Sequence, residues 1–199
     1  ANYTSSLIIS GSNTVATSGD DGDITHLGLN TQHQKLLILT NYGRRRLIDA
    51  VTLTVEDTKT MTSFESPAIA STNIVYVEAV DTFYFRLNAK QNRVGKFVKG
   101  DGILMAINAS TNTGESVVLG GGNVAYDSNR EVIWCFNTEN KNTADFLLCA
   151  VSVQSNEVVL KAKIDHLSTI YITVDTDNDL LILTGANIQT FNLQDIFPI

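Results

Sequence analysis

The stretch NVAYDSNREVIWCFNTENKNTADFLLCAVSVQSNEVVLKAKI, residues Asn123–Ile164, decides the fold. It holds the apolar runs VAY, VIWCF, FLLCAVSV and EVVLKAKI, set apart by DSNRE, NTENKNTAD and QSN. Runs rich in Val, Ile, Phe and Trp and bounded by Asn, Asp and Ser read as strands. Four in succession make an antiparallel meander. Within VIWCF, alternation puts Val132, Trp134 and Phe136 on one face, so Trp134 reads as core.

Working outward, the same unit recurs. Its second strands align as Leu36–Leu39, Ile74–Val77, Val132–Cys135 and Leu180–Leu183, and the first and last copies share LLILT. The differences 74 − 36, 132 − 74 and 180 − 132 give separations of 38, 58 and 48 residues. A period near ~45 residues with four strands per unit marks propeller blades. The expected fold is all-β: a small propeller of four antiparallel blades, residues 1–199 forming one domain. The uneven spacing implies an extra hairpin, DTFYFRLNAKQNRVGKFV, inside blade 2. Blade 4 shows only TIYITV, LLILT and NIQTFNL, and SSLIIS (Ser5–Ser10) is the expected fourth strand that closes the ring. The competing architecture is a β-sandwich or jelly roll, which suits short strands at ~8–12 residue intervals equally well. Half of a larger propeller, completed by a second chain, is the other alternative.

Composition narrows the partners. The net charge of −7 and pI near 4.8 oppose binding to nucleic acid, and no apolar run approaches the ~18 residues needed to cross a bilayer. A chain beginning at Ala1, with sequons at Asn2 and Asn108, fits an extracellular, secreted protein. The two cysteines form no CxxC and no cluster with histidine, which argues against structural zinc. Hairpin symmetry about Asn142 sets Cys135 opposite Cys149, predicting two neighbouring buried thiols rather than a strained bridge.

Loops between second and third strands, with those joining blades, should gather on one face of the ring and form the binding surface. On it, Tyr42 beside Arg44, Arg45 and Arg46 pairs an aromatic with a basic cluster at a hairpin tip. That pairing suits an anionic or sulfated ligand, while a plain solvated turn would look the same. Asp20, Asp21 and Asp23, and separately Asp175, Asp177 and Asp179, have the carboxylate density of a Ca²⁺ loop. Both lack the Gly and distal Glu of an EF-hand, and Asp also serves tight turns. His26, His33 and His166 are scattered, and no nucleophile, zinc-protease or phosphate-loop motif is present. The expected function is a secreted, lectin-like recognition module with a carbohydrate or protein ligand, able to form homo-oligomers. The alternatives are an assembly subunit, such as a viral capsid, fibre or surface-layer protein, and a hydrolase or lyase on the same scaffold.

Overall fold

The computed structural model describes residues 24–30, 32–40, 44–60, 73–88, 102–110, 112, 114–119, 121–137, 147–164, 171–185 and 187–199. They form a β-propeller of four antiparallel sheets, each running in sequence order. Blade 1 contains β1 (Ile24–Asn30), β2 (Lys35–Thr40), β3 (Arg44–Asp49) and β4 (Val55–Thr60). Blade 2 contains β5 (Ile74–Val77), β6 (Thr82–Asn88), β7 (Gly102–Asn108) and β8 (Gly114–Leu119). Blade 3 contains β9 (Gly121–Asp127), β10 (Val132–Asn137), β11 (Leu147–Ser152) and β12 (Val158–Lys163). Blade 4 contains β13 (Tyr171–Asp175), β14 (Leu180–Thr184) and β15 (Ile188–Asn192), followed by the short helix α1 (Leu193–Ile196). Ser5–Ser10, the strand expected to complete blade 4, lies outside the described residues.

One alignment is corrected. Ile74–Val77 is the first strand of blade 2, and Thr82–Asn88 is the second. The differences 82 − 35, 132 − 82 and 180 − 132 then give intervals of 47, 50 and 48 residues between second strands. No extra hairpin is needed: FYFRLN is β6 itself, paired with β7 from Thr82↔Asn108 to Asn88↔Gly102. The turn that separates β5 from β6 is Glu78–Val80, a single 3₁₀ turn, with Asp81 in the left-handed region.

That turn geometry recurs in every blade. Four residues separate each first strand from the second, and the last of the four is left-handed: Gln34 (φ 54°), Asp81 (47°), Glu131 (52°) and Asp179 (55°). The pairs Asn30↔Lys35, Val77↔Thr82, Asp127↔Val132 and Asp175↔Leu180 close these hairpins and fix one register for all four blades. Counting back from them, Leu27, Ile74, Val124 and Ile172 are equivalent, as are Leu29, Tyr76, Tyr126 and Val174.

The core lies between blades rather than within them. Leu37 and Leu39 of blade 1 meet Phe83, Phe85, Ile107, Ile74 and Tyr76 of blade 2. Val77, Tyr84 and Ala106 of blade 2 meet Val124, Ile133, Cys135, Cys149 and Val151 of blade 3. Trp134, Phe136, Leu148 and Ala150 of blade 3 meet Ile172, Leu181, Leu183 and Leu193 of blade 4. A middle blade therefore buries both faces, which is why VIWCF and FLLCAV are continuous apolar runs instead of alternating ones. Trp134 is fully buried and packs edge-on against Phe197 with ring centroids 6.3 Å apart. Cys135 stands opposite Cys149 as the hairpin symmetry requires, and both are unbridged and buried.

Among the described residues the inner strands touch in order, β1 with β5, β5 with β9 and β9 with β13, while β13 makes no comparable contact with β1. Leu27 and Leu29 are accordingly 58% and 49% exposed. Their equivalents Val124 and Ile172 are buried, and Ile74, Tyr76, Tyr126 and Val174 partly so.

Candidate functional site

Polar side chains hold the blades together in a repeating way. Asn73 Nδ2 donates to the Val124 carbonyl at 2.7 Å, and its Oδ1 accepts from the Val124 N–H at 3.0 Å. Fifty residues on, Asn123 treats Ile172 identically, donating to its carbonyl at 3.0 Å and accepting from its N–H at 2.6 Å. One amide thereby satisfies both backbone groups of a residue on the next inner strand, where no sheet partner reaches them. Tyr171 holds the equivalent position in blade 4.

A second set of joints lies at the turns after the first strands. Between blades 1 and 2, the Asp81 carboxylate accepts from Asn30 Nδ2 at 3.1 Å, Tyr76 Oη at 2.9 Å and Ser110 Oγ, and His33 Nδ1 stands 3.5 Å away. Burial, with this carboxylate beside it, pushes the Tyr76 hydroxyl well above the usual phenol range. Between blades 2 and 3 the joint lies elsewhere: Tyr84 Oη on β6 donates to Asn156 Oδ1 in the β11–β12 turn at 2.8 Å. Between blades 3 and 4, the buried Arg130 guanidinium takes Asp179 in both hands and also reaches Asp127 Oδ2 at 3.3 Å. Its Nε donates to the Phe197 carbonyl, tying down the C-terminal segment. Asp127 is fully buried, capping its own turn through the N–H groups of Asn129 and Arg130 and accepting from Trp134 Nε1 at 3.4 Å. Such bidentate, charge-assisted contacts fix geometry as well as energy.

The residues expected to bind ligands are only partly described. Tyr42 lies outside the described residues. Arg44, Arg45 and Arg46 open β3; Arg45 and Arg46 pair with both β2 and β4, and Arg44 pairs with β4. Arg45 and Arg46 are buried. Arg45 Nη2 donates to the Asn112 carbonyl at 2.7 Å, and Asn112 Nδ2 donates to Asp57 Oδ2 at 3.0 Å. Burial lowers the Arg45 pKa and the Asp57 charge partly restores it, so this arginine links blade 1 to the β7–β8 turn.

Of the two calcium candidates, one lies among the described residues. Asp20, Asp21 and Asp23 lie outside the described residues. Asp175 caps its turn by accepting from Asn178 N and Nδ2, Asp179 is committed to Arg130, and Asp177 is exposed. Among the described residues no three His, Cys, Asp or Glu side chains come together to hold a metal ion.

The strand ends that carry the expected binding loops are described; most of the loops are not. Their lengths follow from the strand bounds: three residues between β2 and β3, thirteen between β6 and β7, nine between β10 and β11, and three between β14 and β15. The thirteen, residues 89–101, include Lys90, Arg93, Lys96 and Lys99 with only Asp101 opposing them, on a chain of net charge −7. Sequence reading noticed the length of this stretch and passed over its charge, which four basic residues at intervals of three made visible.

No family model matches the chain, and no curated protein matches it. Solved structures do. The matches are β-propellers of the WD40 type. One is a chain in the crystal structure of the Mitotic Checkpoint Complex, with a TM-score of 0.56 and 13% identity over 85% of this chain and 49% of that one. Another is the Cps50 (Swd1) β-propeller domain of Myceliophteria thermophila, with a TM-score of 0.55 and 14% identity over 86% of this chain and 54% of that one. This chain thus spans about half the length of these two chains.

Proposed function

We propose that this chain is a protein-binding scaffold module whose partner docks on the loops between second and third strands. The observation that carries the reading is the fold itself: four blades fixed by buried joints, matching propellers of which one sits in a multi-protein complex. Such a frame holds the strand ends that carry the loops in fixed relative positions, which is what a recognition surface requires. The basic stretch from Lys90 to Lys99, with Tyr42 on the neighbouring β2–β3 loop, suits an acidic protein segment, and charge steering would speed its capture.

The test compares capture by the wild-type chain with capture by a variant carrying Lys90→Glu, Arg93→Glu, Lys96→Glu and Lys99→Glu. A partner retained by the wild type should be lost from the variant and weakened by salt, with the melting temperature unchanged. A partner that binds both equally, or a chain that retains only glycans on an array, contradicts the reading.

A further inference from the structure

Because the blades share one register, the surface that covers any position can be read from its equivalents. Ile74 and Tyr76 pack on the second strand of blade 1, and Val124 on blade 2. Ile172 and Val174 pack on the second and third strands of blade 3. What fits Leu27 and Leu29 is therefore the trailing side of another propeller blade. Among the described residues, one such side has nothing packed on it, that of blade 4: Tyr171 (47% exposed), Thr173, Ile182, Ile188 (74% exposed) and Thr190. It is not folded back onto blade 1, since β13 makes no comparable contact with β1 and both leucines stand open.

We propose that a second copy of this chain supplies the missing cover. Blade 4 of each copy docks against blade 1 of the other, and two identical joints close a ring of eight blades. A pairing that uses two different patches must close to avoid growing into a filament, and two copies with two joints do so. The inference concerns assembly and does not depend on the partner-binding reading.

Sedimentation velocity of the 199-residue chain tests it. The wild type should run as a single species of twice 21.7 kDa. Leu27→Glu with Leu29→Glu on one side, and Ile188→Glu with Thr190→Glu on the other, should each give a 21.7 kDa monomer that still melts cooperatively. Val159→Glu on β12, at a residue 48% exposed and away from both faces, should leave the dimer intact. If a double variant fails to fold, Leu29→Lys and Ile188→Lys are substituted for it. A wild type that stays monomeric through the micromolar range overturns the proposal. So does a dimer that survives either pair of changes, because head-to-tail closure needs both faces.

Discussion

Gly28→Ala is the perturbation with the clearest sign. Gly28 lies mid-strand in β1 with no left-handed φ, so the backbone itself accepts alanine. Gly in a strand interior is normally worse than Ala by about 0.5–1 kcal/mol, and a site with open space would gain roughly that. Here the added Cβ would lie 2.6 Å from Ile74 Cγ2, 3.2 Å from Ile74 Cβ and 3.2 Å from Phe83 Cδ1. Ile74 is stiff at χ1 and cannot swing the methyl aside, and Phe83 is fully buried. Blade 1 must therefore move away from blade 2, a case of overpacking that costs about 1–3 kcal/mol. The cost exceeds the gain over most of that range. At about 2–4 °C per kcal/mol for a chain of this size, the melting temperature should fall by several degrees. Thermal and urea unfolding followed by circular dichroism measure it. Ile74→Ala removes the clashing methyl, so the double variant should lose less than the two single losses combined, by more than about 0.5 kcal/mol. A Gly28→Ala protein as stable as the wild type or more so, or strict additivity in the cycle, would refute the packing of blade 1 on blade 2.

Other outcomes follow from the joints and turns. Arg130→Ala leaves the Asp127 carboxylate fully buried without its guanidinium, and should cost about 3–5 kcal/mol in urea unfolding; a loss under ~1 kcal/mol would mean the joint is not formed. Burial, with the neighbouring Cys149, pushes the Cys135 thiol far above its ordinary range. A thiol-disulfide reagent should therefore find neither cysteine in the native protein and both after denaturation; rapid native labelling contradicts the register of blade 3. Asp49 is held at about 2 by the backbone N–H and hydroxyl of Thr52 and by the Val51 N–H. Its folded pKa lies below the unfolded ~3.9, so its contribution is complete above that value and disappears as pH falls toward 2. The stability gap between wild type and Asp49→Ala should be flat above pH ~5 and narrow through that window. A gap that widens on acidification would reverse the sign.

Blade 3 was legible in the sequence because its turns are polar and its strands apolar, so the hairpin centre at Asn142 could be counted and the cysteine pair placed. Blade 2 was misread for a physical reason. Its first turn, Glu78-Ala79-Val80-Asp81, has Ala and Val at its centre and no Gly, Asn or Ser to mark it, and Asp81 accepts from Asn30, Tyr76 and Ser110. Those partners lie up to 51 residues away and leave no local signal. The burial of Arg45 was not legible either: three successive charges after a polar turn read as a hairpin tip, yet a carbonyl 67 residues away and the charge of Asp57 make that burial tolerable. Asp175 and Asp179 looked like ligands for one ion because spacing cannot show that one caps its own turn while the other faces an arginine on the next blade. The Asn73 and Asn123 clamps were missed altogether, although both precede the apolar core of a first strand by one residue. An asparagine repeated at that position was the available signal.

The central claim is that four blades in one register pack successively through their inner strands. Through-space NMR contacts at the clamps test it most directly, because a sandwich of the same strands would not bring these atoms together. The side-chain amide of Asn73 should show cross-peaks to the Val124 N–H, and that of Asn123 to the Ile172 N–H. Finding either amide beside a different strand, or seeing neither cross-peak in a spectrum that resolves both amides, would contradict the propeller register.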